Sequence, residues 1–397
     1  MSDPVIGQTE GHSNHYPRVL MTISVILLGF PSGLTLLLSS TVSLMILGLR
    51  ILLLLFFVFK YYIRRAIRPS VLFYLVFALS SVLLFSSILN QADIMRAIKV
   101  IAWMMYAVIW ADVAFSTDYY RSIHLFSTWG CIILFANFLC SLMFPKGIFS
   151  GGDDYSGLYQ TTYSLLGNIN NMEVFWIPVL AFWTLDSLHG KHGKRKNYFF
   201  IRCLLLFVFI LIPSVIFKCE TGVVLISLWF AYTVWNVYFK QKINIRISIL
   251  GIVVGFVIAF IIIYRYGAVI LPSVFGRYTI SSRLLLWGNA LSMISQKLIF
   301  GYGIGENDYI IFFNQWRNYS PHNQFLMLTL WGGLAALTVF LIIFIYSGKN
   351  AVGNREYDYS FLKFTFILII IYYMVEITVD MSIPIALLSG MYYYRKH

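Results

Sequence analysis

Between Arg68 and Asp93 the chain runs PSVLFYLVFALSSVLLFSSILNQA, without one Asp, Glu, Lys, Arg or His. A helix of about 20 such residues spans the roughly 30 Å hydrocarbon core of a bilayer. A surface helix of a soluble domain would keep a polar face, and this run has none. The pattern recurs along the whole chain. Of 397 residues, 59% are hydrophobic and 11% charged, where a soluble domain carries about 25% charged residues. No single water-facing globule accommodates that composition, so the chain reads as an all-α integral membrane protein. A transmembrane β-barrel is excluded because barrel strands alternate apolar and polar residues, and these runs are apolar throughout.

The length rule yields about twelve candidate spans, near 19–38, 42–61, 70–88, 98–116, 125–144, 173–188, 198–217, 222–239, 247–264, 323–345, 361–379 and 383–394. Pro31 and Gly33 interrupt the first, and the last is short for a full crossing. Three strongly basic segments, 60–68, 190–197 and 240–246, together with Arg395 and Lys396, fall on one side if the N-terminus is cytoplasmic. Basic residues mark cytoplasmic loops, so both termini are expected inside. The same rule accounts for the net charge of +13 without a nucleic-acid partner. Residues 1–17 are polar and lack the basic start and cleavage site of a secretory signal, reading as a short cytoplasmic tail. The four cysteines lie in or beside apolar runs with no CxxC spacing, and they suggest neither a metal site nor a disulfide framework. No repeat or soluble domain is apparent, so residues 1–397 form one polytopic membrane domain.

Two segments on the expected outer side are long. Residues 145–172 are rich in Gly, Asp, Tyr and Asn, and residues 265–322 contain SSRLLLW, GYGIGEN and SPHN. Loops held at one face of a rigid scaffold commonly carry function. Residues 282–300 have apolar residues at helical spacing and would lie along the membrane surface or pack on the bundle.

Of the seven histidines, only His322 falls on the outer side. It precedes an apolar helix, whose N-terminal dipole disfavours an imidazolium. A neutral imidazole is what a general base needs; the plain alternative is a residue that caps or anchors the helix. The same side gathers Lys218, Arg265, Arg277, Arg283, Lys297 and Arg317. Arg283 stands in a mostly apolar stretch, where a guanidinium is costly unless paired, and its planar fork suits phosphate oxygens. Lys218 lies on the turn FKCETG beside Glu220, where a local ion pair is the simpler account. GYGIG (301–305) lacks the spacing and strand-to-helix context of a nucleotide loop. It reads as a turn re-entering the bundle or a close backbone approach. The outer acids, among them Asp93, Asp153, Asp154, Glu173, Glu306, Asp308, Glu376 and Asp380, read as solvated charges with no glycosidase-like dyad. Arg50, inside the second span, reads as snorkelling at a shifted boundary. No metal-ligand cluster is present in the sequence.

Together, SRLLLW (282–287), GYGIGEN (301–307) and HNQFLMLTLWGG (322–333), with a long loop before the tenth span, resemble the O-antigen ligase and polymerase family of bacterial envelope assembly. The motif-bearing resemblance covers about residues 160–345. It implies a metal-independent, inverting glycosyltransferase of GT-C-like architecture in the inner membrane, with a long periplasmic loop between helices 9 and 10. Its donor would be an undecaprenyl-diphosphate-linked oligosaccharide, with no cofactor. His322 matches the family's histidine and Arg283 its outer-loop arginine. The family's second arginine lies on the turn between spans seven and eight, where this chain has Glu220, with Lys218 two residues earlier. Lys218 is the substitute candidate for the diphosphate, with Arg277 and Arg317 next. On this resemblance His322 deprotonates the acceptor hydroxyl, Arg283 and Lys218 stabilise the departing diphosphate, and tyrosines of 145–172 stack on sugar. The preferred activity is polymerisation of lipid-linked repeat units, alongside a chain-length regulator and a flippase of the same pathway. Ligation to lipid A–core is the close alternative. A flippase or transporter would want ionisable groups on several spans and internal symmetry, where the sequence offers Arg50 and no repeat. A non-enzymatic assembly partner is a further alternative.

Overall fold

The structure, a computed structural model, describes residues 18–31, 33–34, 40–64, 67–153, 160–168, 172–189, 196–239, 279–305, 310–312, 315–319, 321–350, 358–378 and 381–394. The expected span 247–264, the stretch 265–278 with Arg265 and Arg277, and both chain ends lie outside them. The described chain is mostly helical: α1 (Arg18–Leu28), α2 (Ser40–Phe57), α3 (Val71–Leu89), α4 (Ile94–Met143), α5 (Glu173–His189), α6 (Lys196–Ile216), α7 (Glu220–Phe239), α8 (Thr279–Gln296), α9 (Gln324–Asn350), α10 (Asp358–Val375) and α11 (Ser382–Tyr394). A π-helical turn, Val58–Ile63, closes α2. Among the described residues, five stretches are long and apolar enough to cross a membrane: Leu44–Ile63, Val71–Leu89, Ile94–Met143, Tyr198–Ile216 and Gln324–Gly348.

Two of these stretches are not single rods. α4 has 50 residues, which as one helix would measure about 75 Å, more than twice the hydrocarbon core. Asp118 breaks it with φ −154° and ψ 86°. Across the break the Trp110 and Phe126 rings lie 6.3 Å apart, where a straight helix would separate these residues by about 24 Å. The chain therefore turns back at Asp118, and α4 is two antiparallel helices, as expected of separate spans near 98–116 and 125–144. α9 breaks at Gly332 and Gly333. Phe325 and Phe340, about 22 Å apart in a straight helix, have ring centroids 6.2 Å apart, and both rings touch Tyr373. A short arm, residues 324–331, thus folds back against the long arm.

The Asp118 turn defines one end of the bundle. The Tyr394 and Tyr119 rings meet there at a tilt, 6.0 Å between centroids, and His124 meets Asp186 near the end of α5. Asp112, fully buried, accepts hydrogen bonds from Tyr62 Oη at 2.8 Å, Ser70 N at 2.9 Å and Tyr393 Oη at 3.1 Å. It ties the ends of α2, α4 and α11 to the start of α3. The described borders of the basic segments 60–68 and 190–197 adjoin this end; the segment 240–246, Arg395 and Lys396 lie outside the described residues. Arg50 does not snorkel: it is buried, and its Nε donates to Leu27 O at the C-terminus of α1 at 2.9 Å. An orphan helix carbonyl gains a charged donor there.

The opposite end carries the α3–α4 and α6–α7 turns and an antiparallel sheet of β1 (Phe149–Asp153), β2 (Gln160–Ser164) and β3 (Gly167–Asn168). The segment 145–172, expected as an outer loop, is thus partly a small sheet. A second hairpin joins β4 (Ile310–Phe312) to β5 (Gln315–Tyr319) within the expected loop 265–322. In the same segment α8 packs on the short arm of α9, burying Leu286, Ala290 and Ile294 with Leu330. Of the two arrangements its spacing allowed, α8 takes the packed one.

The glycine motifs interlock. Residues 298–303 lie across the break in α9, where Tyr302 N donates to Leu330 O (2.7 Å), Gly303 N to Trp331 O (2.9 Å) and Leu334 N to Leu298 O (2.8 Å). Breaking a helix in an apolar setting frees backbone groups that must find partners within the protein, and GYGIG supplies them. Ser86 Oγ donates to both Phe300 O and Trp331 O, and Asn90 Nδ2 to Gly301 O. A Cβ on Gly301 would stand 2.7 Å from Gly333 N, so this crossing requires glycine. GYGIG is therefore the close backbone approach that the sequence offered as one reading.

Candidate functional site

The SPHN segment delivers its side chains to three different neighbours. Pro321 O accepts from Trp287 Nε1 of α8 at 2.6 Å. Asn323, not His322, caps α9: its Oδ1 accepts from Leu326 N at 3.1 Å, while its Nδ2 donates to Met374 O. Gln324 Oε1 accepts from Thr378 N at 2.7 Å. With capping and anchoring done by its neighbours, His322 is free for another role. Its backbone takes φ +45°, an uncommon left-handed conformation for a side-chain-bearing residue. This turns the ring toward the end of α10, where Nδ1 lies 3.1 Å from Glu376 Oε2. The His322 side chain is 32% exposed and that of Glu376 only 4%.

Glu376 corrects the sequence reading, which made it a solvated outer acid. It directly follows α10, and burial of its carboxylate requires a partner; His322 is one. Glu173, also expected as solvated, is fully buried at the start of α5. Its Oε1 accepts from Cys219 Sγ on the α6–α7 turn at 3.0 Å. Burial and the adjacent carboxylate push the Cys219 thiol well above its ordinary pKa, so it stays a hydrogen-bond donor. Tyr372 of α10 is buried, and its hydroxyl donates to Ile377 O, next to Glu376, at 3.3 Å. The only sequence signal for these residues was that they fell on the same side as His322; no spacing linked them.

The group is recessed. α11 has 13 residues, about 20 Å of helix, so its start lies that far from the Asp118 end and short of a full bilayer core. Likewise Met172, just before Glu173, touches Asn137, about 9 Å before the end of α4. His322, Glu376 and Glu173 thus form a recessed cluster, the pit, set back from the end bearing the α6–α7 turn.

The predicted cations are only partly brought together. Lys218 is exposed on the α6–α7 turn, next to Cys219, with φ +56°. Glu220 is exposed on the same turn. Arg283 belongs to α8, whose Trp287 is bonded to Pro321 O beside His322; the Arg283 side chain lies outside the described set. The side chain of Arg317, in β5, and the whole of Arg277 also lie outside it. Among the described residues no group of His, Cys, Asp and Glu is disposed to hold a metal ion.

In comparisons with known proteins, no family model matches the chain and no curated protein matches it.

Proposed function

We propose that the chain is a membrane glycosyltransferase that polymerises undecaprenyl-diphosphate-linked oligosaccharide repeat units at the periplasmic face of a bacterial inner membrane. The proposed topology has about twelve spans, both termini cytoplasmic and the long 265–322 segment outside, between the ninth and tenth proposed spans, 247–264 and 323–345. The observation that carries the reading is the His322–Glu376 pair. Glu376 accepts from Nδ1–H, which leaves the Nε2 lone pair for substrate, the tautomer a general base needs.

In the proposed reaction Nε2 takes the proton of an acceptor sugar hydroxyl as its oxygen attacks the anomeric carbon. The bond from that carbon to the diphosphate oxygen breaks, and the electron pair leaves on the diphosphate. The carboxylate of Glu376 stabilises the imidazolium that forms. Arg283, carried toward this site by α8, and Lys218, on the turn above the pit, are the proposed diphosphate contacts. Arg277 and Arg317 are next in line.

A lipid-linked oligosaccharide flippase is the second reading, favoured by the buried ionisable residues on four elements: Arg50, Asp112, Glu173 and Glu376. Intramembrane charges often mark transport paths. Arg50 and Asp112 are each bonded to fixed protein groups, however, which leaves the cluster of Glu173 and Glu376.

Clean deletion and electrophoresis of the surface glycan separate the readings. A single repeat on core marks a lost polymerase, bare core with accumulating lipid-linked polymer a lost ligase, and repeat units trapped on the cytoplasmic side a lost flippase. His322→Ala at normal abundance is expected to cost about 10²–10⁴ in polymerisation rate, and Glu376→Gln to fall between it and the wild type. Wild-type chain lengths in His322→Ala would remove the base from the mechanism.

A further inference from the structure

Glu173 takes no part in the chemistry above, yet it is the least accommodated polar group of the pit. It is 0% exposed. One oxygen accepts from the Cys219 thiol, and the other, Oε2, has no hydrogen-bond partner among the described residues. The nearby hydroxyl of Ser214 is committed to Ile210 O at 2.8 Å. A Cβ on Gly222 would stand 2.9 Å from Glu173 Oε1, so α7 closes tightly over the carboxyl. Among the described residues no Lys, Arg or His pairs with it. Among the described residues, Glu173 is bonded to Cys219 of the α6–α7 turn, which also bears exposed Lys218, and the cluster holds Glu376 after α10 with His322 before α9.

An ionised Glu173 would combine two unfavourable conditions: burial without a countercharge and a second carboxylate in the same cluster. Glu376 has an imidazole at 3.1 Å, whereas Glu173 has the Cys219 thiol. We propose that Glu173 is a protonated carboxylic acid, a neutral group buried in the same cluster as the His322–Glu376 pair. The proton on Glu173 does not rest on the glycosyltransferase reading.

The test uses the full-length protein in lipid nanodiscs. Infrared difference spectra of wild type minus Glu173→Gln are expected to show a carboxylic-acid C=O stretch at neutral pH. Cys219→Ser, which replaces the thiol by a stronger donor, is expected to shift that band and not abolish it, and it serves if Glu173→Gln fails to fold. In polymerisation assays with undecaprenyl-diphosphate-linked repeat units, Glu173→Gln should keep activity with the acid limb of the pH–rate profile unmoved. Absence of the band from the wild type overturns the proposal. So does an acid limb displaced to lower pH by about one unit or more in Glu173→Gln, the signature of a lost negative charge. An active His322→Ala would sink the glycosyltransferase reading alone, since the infrared band still decides where the proton sits.

Discussion

Gly333→Ala probes the crossing that holds the His322-bearing arm in place. Gly333 adopts φ 65° and ψ −165°, a region that is essentially glycine's alone and costs other residues about 1–3 kcal/mol. An added Cβ would also land on the carbonyl of Ile299, inside contact distance. No rotamer relieves this, because the obstacle is main chain. Parting the strands breaks Leu334 N–Leu298 O at 2.8 Å and Ala335 N–Ile299 O at 3.2 Å. Each pair left unmade in an apolar setting costs about 1–3 kcal/mol. The total, about 3–9 kcal/mol, rivals the roughly 5–15 kcal/mol that keeps a domain folded. Gly288→Ala is the control: Gly288 is exposed on α8, its Cβ would meet nothing within 4 Å, and a helical Gly→Ala exchange gains about 0.5–1 kcal/mol. Membrane abundance and tryptophan-monitored melting in detergent report both variants. Gly333→Ala should be scarce or melt far below the wild type, with Gly288→Ala at or slightly above it. A Gly333→Ala protein melting with the wild type would refute the interlocked crossing.

At matched expression, Arg283→Lys should shorten glycan chains markedly, because an ammonium keeps the charge and loses the bidentate fork; wild-type chains would exclude a fork contact. Lys218→Ala should also reduce chain length and Lys218→Arg retain it. Full activity in Lys218→Ala would mean that exposed Lys218 only decorates its turn, as surface charges worth about 0–1 kcal/mol do. Asp112→Ala should lower the melting temperature strongly, since three buried donors lose their acceptor at about 1–3 kcal/mol each, while Asp112→Asn should recover part of the loss; equal melting of all three proteins would show the cluster to be dispensable. Single cysteines at Ser150 and Asn314 should react with an impermeant thiol reagent from outside the cell, and one at Gly193 only after the membrane is opened; labelling at Gly193 in intact cells would invert the topology.

Membrane character was legible in the sequence, because hydropathy acts locally and sums along the chain. His322 was singled out as the one histidine assigned to its side, without any sign of what it would meet. The glycine motifs were visible as motifs, but their meaning was not: GYGIG and Gly332–Gly333 are some thirty residues apart, and only folding lays one across the other. The pairing of His322 with Glu376, 54 residues away, was likewise illegible. Both acids of the pit read as solvated ends of apolar runs, since composition records that a carboxylate stands near a helix end and not how deep that end lies. Depth is set by neighbouring helices of unequal length, by α11 with 13 residues and by the fold-back of α9. These are relations between elements, and they exist only once the elements have packed.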